Sequence, residues 1–169
     1  QLDLIAGSWD LAVRIGRLED SPLQSRRLGD SKMLVCASAD YLDQRGVPRQ
    51  VGDLAQHNCL SYTLSAKQDS QHWAFGSQGE LRVPITGDLV ANNGDALLAA
   101  AVAGQGIIYQ PHFIVAEAVA QGQLVILELD KPVVELGGIH LLYPADRRPP
   151  AKVRVMIDYL LEAFTNTPP

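Results

Sequence analysis

The sequence predicts an α/β fold with a mostly parallel sheet, and three observations carry that expectation. Short apolar, strand-like runs alternate with helical patterns along most of the 169 residues. From Ala151 to Phe164 the apolar residues Val153, Met156, Ile157, Leu160, Leu161 and Phe164 recur at the helical period, which marks a helix packed on a sheet. Between these lies Val90 to Phe113, which reads as strand end, polar turn, helix, glycine stop, second strand and proline-started helix.

That central stretch organises the rest. Asn92, Asn93, Gly94 and Asp95 form the turn, and Asn and Asp oxygens accept the first free N–H groups of a helix, so either residue type serves as its N-cap. The helix is expected over Ala96 to Ala103, with Gly104 as a left-handed stop. Gly106 to Tyr109 returns as a strand, and Pro111 suits the first turn of the next helix. A helix N-terminus after a strand aims unpaired donors at the crevice beyond the strand ends, where anions and small polar ligands bind. A βαβ unit with nothing bound has the same local pattern.

The other elements follow in order. Leu2 to Gly7 resembles a helix end, and Asp10 to Gly16 alternates as a strand with Leu11, Val13 and Ile15 on one side. Lys32 to Ala37 is a second strand; Ser38 caps a helix over Ala39 to Arg45, ended by Gly46 and Pro48. Asp53 to Gln56 makes a helical turn, and His57 to Thr63 a strand, with a polar loop from Leu64 to Ser70. Trp73–Phe75 and Leu81–Val83, around Gly76 to Gly79, read as a β-hairpin in which Pro84 marks an edge or bend. Ile85 to Val90, Leu124 to Leu127 and Ile139 to Tyr143 read as strands, and Pro111 to Gln121 as a helix with Ile114, Val115, Ala118 and Val119 inward.

Composition narrows the function classes. A 47% apolar and 20% charged chain is ordinary for a globular protein, and a net charge of −5 argues against a grip on nucleic acid by this segment alone. The densest basic group, Arg147, Arg148, Lys152 and Arg154, reads as a solvated helix entry. No run is continuous enough for a membrane helix, and no signal peptide is visible. Cys36 and Cys59 lie in apolar runs without C-x-x-C spacing and are expected as buried free thiols. The four histidines lack metal-ligand spacing, so neither a metal nor a cofactor is expected. No G-x-S-x-G elbow, phosphate-binding loop or H-E-x-x-H occurs, and Gly104-Gln-Gly106 follows a helix where a dinucleotide fingerprint would precede one; an enzyme is not expected.

Several segments together resemble the effector-binding domain of LysR-type transcriptional regulators. They are Asp10 to Gly16, Cys36 to Leu42, Asp53 to Leu60, Trp73 to Phe75, Asn92 to Leu97, and Ala103 to Ile107 followed by Pro111 and Phe113. Tyr143-Pro144, Lys152 to Arg154 and the terminal helix complete the series. The resemblance implies a two-lobed, periplasmic-binding-protein-like (type 2) fold, truncated at the N-terminus because the family's first strand-helix-strand and its DNA-binding domain precede the matching segment. It implies a first lobe of residues 1–36 and 139–169, a second of 37–138, and hinge crossings near Val35–Ser38 and Gly137–Leu142. It also implies a cytoplasmic bacterial regulator that binds a small effector, anionic in one option, between the lobes. DNA would be bound only through the absent N-terminal domain, and the full-length protein would form a homodimer or homotetramer.

Candidate effector contacts are Arg14 and Gly16 at a first-lobe strand end, Ser61 and Tyr62 near a second-lobe strand end, Asn92, Asn93 and Asp95 in the central turn, and Pro111 and Phe113 as an apolar wall. An Arg at such a place can meet a carboxylate. Against these stand a salt bridge from Arg14 to Asp10, capping by Asp95, and plain packing for Ser61, Tyr62 and Phe113. A free-standing solute-binding receptor of the same fold is the alternative, distinguished by an export signal; a two-lobed enzyme would need a nucleophile or base in the cleft.

Overall fold

The computed structural model describes residues 9–16, 18, 20–63, 71–144 and 149–166, with side chains as far as 164. The expected helix end before Gly7, the loop over 64–70 and the arginines at 147 and 148 lie outside the described residues. The chain divides into two compact units, residues 1–31 with 136–169 and residues 32–135.

In the first unit, β1 (Ala12–Ile15) pairs antiparallel with β9 (Glu135–Pro144), Ala12 opposite Leu142 and Ile15 opposite Ile139. β9 lies between β1 and β2 (Leu23–Ala37), a strand that continues into the second unit. The sequence expectation covered only the last part of β2, because Gln24 to Arg27 offer polar side chains on both faces and no apolar alternation. The long helix α4 (Ala151–Asn166) buries Val153 and Ile157 against Leu141 and Tyr143, with Leu160 and Leu161 packed beside them. Two residues of its expected stripe differ: Met156 is 48% and Phe164 38% exposed, because the packed face is narrower than the apolar one.

The second unit is built on a sheet in which β7 (Ile107–Pro111) lies between β2 and β3 (Cys59–Tyr62), with β6 (Val90–Ala91) outside β3 and β8 (Val125–Ile126) on β2. β3 runs parallel to both β6 and β7, whereas β2 is antiparallel to β7 and β8. The expected mostly parallel sheet is therefore corrected to a mixed one. Strand–helix alternation dictates parallel pairing only between strands joined by a local crossover, and β2 reaches β7 from far away in sequence.

Strand alternation sends side chains to two cores. Val35, Cys59, Ile107 and Tyr109 face α1 (Ala39–Arg45), the 3-10 turn Val51–Gln56 and the antiparallel hairpin of β4 (His72–Phe75) and β5 (Leu81–Pro84). Leu34, Cys36, Leu60 and Ile108 face α2 (Gly94–Val102) and α3 (His112–Ala120), which bury Leu97, Ala100, Ala101, Val115 and Ala118. Ser38 caps α1 by accepting the Tyr41 N–H, and Gly46 ends it at φ 84°. The strand expected over Ile85 to Val90 is reduced to β6; before it, Thr86 makes a single parallel bridge to Asn58.

This arrangement separates the two thiols. Cys36 and Cys59 belong to cores on opposite faces of one sheet, so they form no disulfide, and burial pushes both pKa values up to about 12. Neither is expected to react with an aromatic disulfide reagent at about pH 8 in the native protein, and both react once it is unfolded. Fast native labelling of either would contradict this packing.

Candidate functional site

The second unit gathers most of the expected site residues. Ser61, 3% exposed, and Tyr62, 38% exposed, end β3, and their partners in β6 are Val90 and Ala91. β6 leads directly into the turn at Asn92 and Asn93, both exposed. Asn93 is the N-cap of α2: its Oδ1 accepts from Asp95 N at 2.8 Å and Ala96 N at 3.3 Å. The helix thus starts at Gly94, two residues earlier than expected, and Asp95 is a first-turn residue on the positive end of the helix dipole, not the cap.

On the neighbouring strand, Pro111 ends β7 as the N-cap residue of α3, where no side chain caps the first turn. Phe113 is 48% exposed, so the core-packing alternative for it fails. The two helix starts touch: a Cβ on Gly94 would lie 3.2 Å from Ile114 Cδ1 and 3.3 Å from Gln110 Oε1. Gln110 is a residue the sequence reading passed over. It follows Ile108 by two positions on β7, so it faces α2 and α3, and it is 3% exposed with no hydrogen-bond partner on Nε2. A glutamine closing the apolar run Ile107–Tyr109 was the signal that could have found it.

Arg14 and Gly16 lie in the first unit. Arg14 is half-buried on β1 opposite His140, and Gly16, at φ 122°, donates its N–H to Gly138 O at 3.0 Å. Asp10, the carboxylate set against Arg14, pairs with Lys152 at 2.6 Å. A shallow depression in the same unit, lined by Trp9, Leu11, Leu23 and Tyr143, contains no expected site residue. Among the described residues no group of three His, Cys, Asp or Glu is placed to hold a metal ion, and no helix is long and apolar enough to cross a membrane.

A buried polar knot braces this cluster from the far end of the strands. Tyr41 Oη accepts the Asn58 N–H at 2.9 Å and lies 3.1 Å from His57 Nδ1, while Asn58 Nδ2 donates to Asp88 Oδ1 and to Gln105 O. Burial holds the His57 imidazole below its ordinary pKa, with Asp53 opposing that shift. The unfolded chain therefore takes up a proton at higher pH than the folded one, and stability falls as pH drops from about 6.5 through the lower folded value. Urea unfolding midpoints should decline over that window in the parent chain and decline less in His57→Gln.

An α/β unit with two helix N-termini meeting beyond its strand ends is built to hold a small polar ligand. The family comparison agrees with that class: residues 1–165 match the LysR substrate binding domain, and the chain belongs to this family. It is 36% identical over 163 residues to the HTH-type transcriptional activator AaeR of Escherichia coli K12, covering 96% of this chain and 52% of that protein. Against the HTH-type transcriptional regulator CrgA of Neisseria meningitidis it is 31% identical over 166 residues, covering 98% and 54%. The solved regulatory domain of CrgA superposes with a TM-score of 0.74 at 30% identity, over 92% of this chain and 75% of that one. The regulatory domain of AphB from Vibrio vulnificus gives 0.74 at 27% identity, again over 92% and 75%. The fold is accordingly the two-lobed, type 2 periplasmic-binding-protein-like one. The chain spans about half the length of the curated relatives it matches.

Proposed function

We propose that this chain is the effector-sensing part of a bacterial LysR-type regulator. A small molecule binds it and thereby modulates promoter binding by an N-terminal winged helix-turn-helix outside this chain. The observation that carries the reading is the match over residues 1–165 to the substrate-binding domain of these regulators. Ser61, Tyr62, Asn92, Asn93, Asp95, Pro111 and Phe113 are the second lobe's contribution to effector binding, and Arg14 and Gly16 the first lobe's. The lobes are residues 37–138 and residues 1–36 with 139–169. The effector acts by differential affinity for two arrangements of the protein, which shifts their populations without a chemical step, so the chain is no enzyme. The protein works in the cytoplasm, where its promoter is.

The test uses the full-length regulator and its own promoter fragment in a mobility-shift titration with and without small organic acids. A change in promoter affinity of about fivefold or more with one of them is expected, the lower end of ordinary allosteric coupling. Promoter binding that ignores every compound which binds this domain would overturn the reading.

A further inference from the structure

The carboxamide of Gln110 is the least explained polar group in the second unit. It is 97% withdrawn from solvent, being 3% exposed, and its Nε2 has no acceptor. An enclosed donor left unpaired costs about 1–3 kcal/mol. Cores avoid that cost unless an acceptor arrives from elsewhere. The side chain is aimed at the first residue of α2, since its Oε1 lies 3.3 Å from where a Gly94 Cβ would be. Ile114, in the first turn of α3, closes on the same glycine at 3.2 Å, so both helix starts and the amide share one spot. α2 runs for 9 residues and α3 for 9, enough for each to present a positive N-terminal end.

We infer that Gln110, with the first turns of α2 and α3, anchors a carboxylate of a small organic acid. The inference rests on the sensor reading above and gives its ligand a chemical class. The donors here are neutral: peptide N–H groups and one primary amide, with no Lys or Arg among Ser61, Tyr62, residues 90–96 or residues 110–114. A monoanion suits such a set, because a phosphate dianion needs a cation to offset its desolvation. Asp95, exposed in the first turn of α2, adds like charge and further disfavours a dianion. Tyr62 and Phe113, 38% and 48% exposed, supply apolar surface for the body of the acid.

The test is an NMR titration of the isotope-labelled chain with acetate and with benzoate, using benzamide and inorganic phosphate as comparators. Both carboxylates should move the Gln110 side-chain NH2 signals and the Gly94 and Asp95 amides, benzoate at lower concentration; phosphate should not. In Gln110→Leu benzoate affinity should fall roughly tenfold or more, as for the loss of a hydrogen bond to a charged group. Asp95→Asn should raise it. Should Gln110→Leu fail to fold, the parent chain's side-chain signals still decide. Unmoved Gln110 signals with both carboxylates, or equal movement with phosphate, would overturn the assignment. A full-length regulator that responds to an acid equally well as Gln110→Leu would sink this inference and leave the sensor reading intact. Carboxylate binding at Gln110 without any promoter response would do the reverse.

Discussion

Replacing Phe75 by alanine is expected to lower stability by about 3–5 kcal/mol, the range for deleting a buried aromatic side chain. Phe75 is fully buried in the core between the sheet and the hairpin. Its ring stacks on Tyr109 at 5.1 Å with the planes 5° apart, and Trp73 tilts against the same tyrosine at 5.5 Å. Tyr109 Oη in turn accepts the Val134 N–H at 2.8 Å, and burial pushes its pKa up to about 12. The alanine therefore empties a ring-sized space under a residue that also ties down the segment before β9. For a protein of this length the loss corresponds to a Tm drop of roughly 6–20 °C. Thermal unfolding followed by circular dichroism measures it, and a drop of only a degree or two would mean that the hairpin does not cover this core.

Nearly as large an effect is expected at Gly87. A Cβ there would lie 1.9 Å from Cys59 O and 2.7 Å from Cys59 C, both backbone atoms of a central strand. The chain cannot step aside, because it is held on either side of the glycine. Cys59 N donates to Thr86 O at 2.8 Å, and Asp88 N donates to Asn58 Oδ1 at 3.0 Å. Gly87→Ala should cost about 3 kcal/mol, the upper part of the overpacking range. Gly52→Ala is the control: an added Cβ meets nothing there, and a change within about 0.5 kcal/mol is expected. Chemical denaturation of the two variants side by side compares them; equal midpoints would contradict the close approach.

What was legible in the sequence was whatever has a local cause. Ser38 before α1 and Gly46 after it, the glycines turning the Trp73 hairpin, Gly104 after α2 at φ 77° and Gly122 after α3 at φ 70° all act through neighbouring backbone. Long-range order was not legible. Strand direction in β2 depends on β7, more than seventy residues away, and the polar first part of β2 is a strand only because β9 lies beside it. The site divides in the same way. The turn at Asn92 and Asn93 announces a helix start, yet which residue caps it is decided by where Oδ1 meets N–H groups. Gln110 becomes a candidate only once the start of α2 lies over β7, a fact of packing that no window of sequence contains.

The measurement that tests the central claim most directly is calorimetric titration of small organic acids into this chain, with Gln110→Leu and Asn93→Ala alongside. The account predicts saturable binding of at least one acid, with thermal stabilisation of roughly 2.7 kcal/mol at a hundred times its Kd. It further predicts weaker binding in Gln110→Leu, and a helix-cap loss of about 1 kcal/mol in Asn93→Ala. No heat and no stabilisation from any acid, in a chain that unfolds cooperatively, would contradict the claim that this unit senses a small molecule.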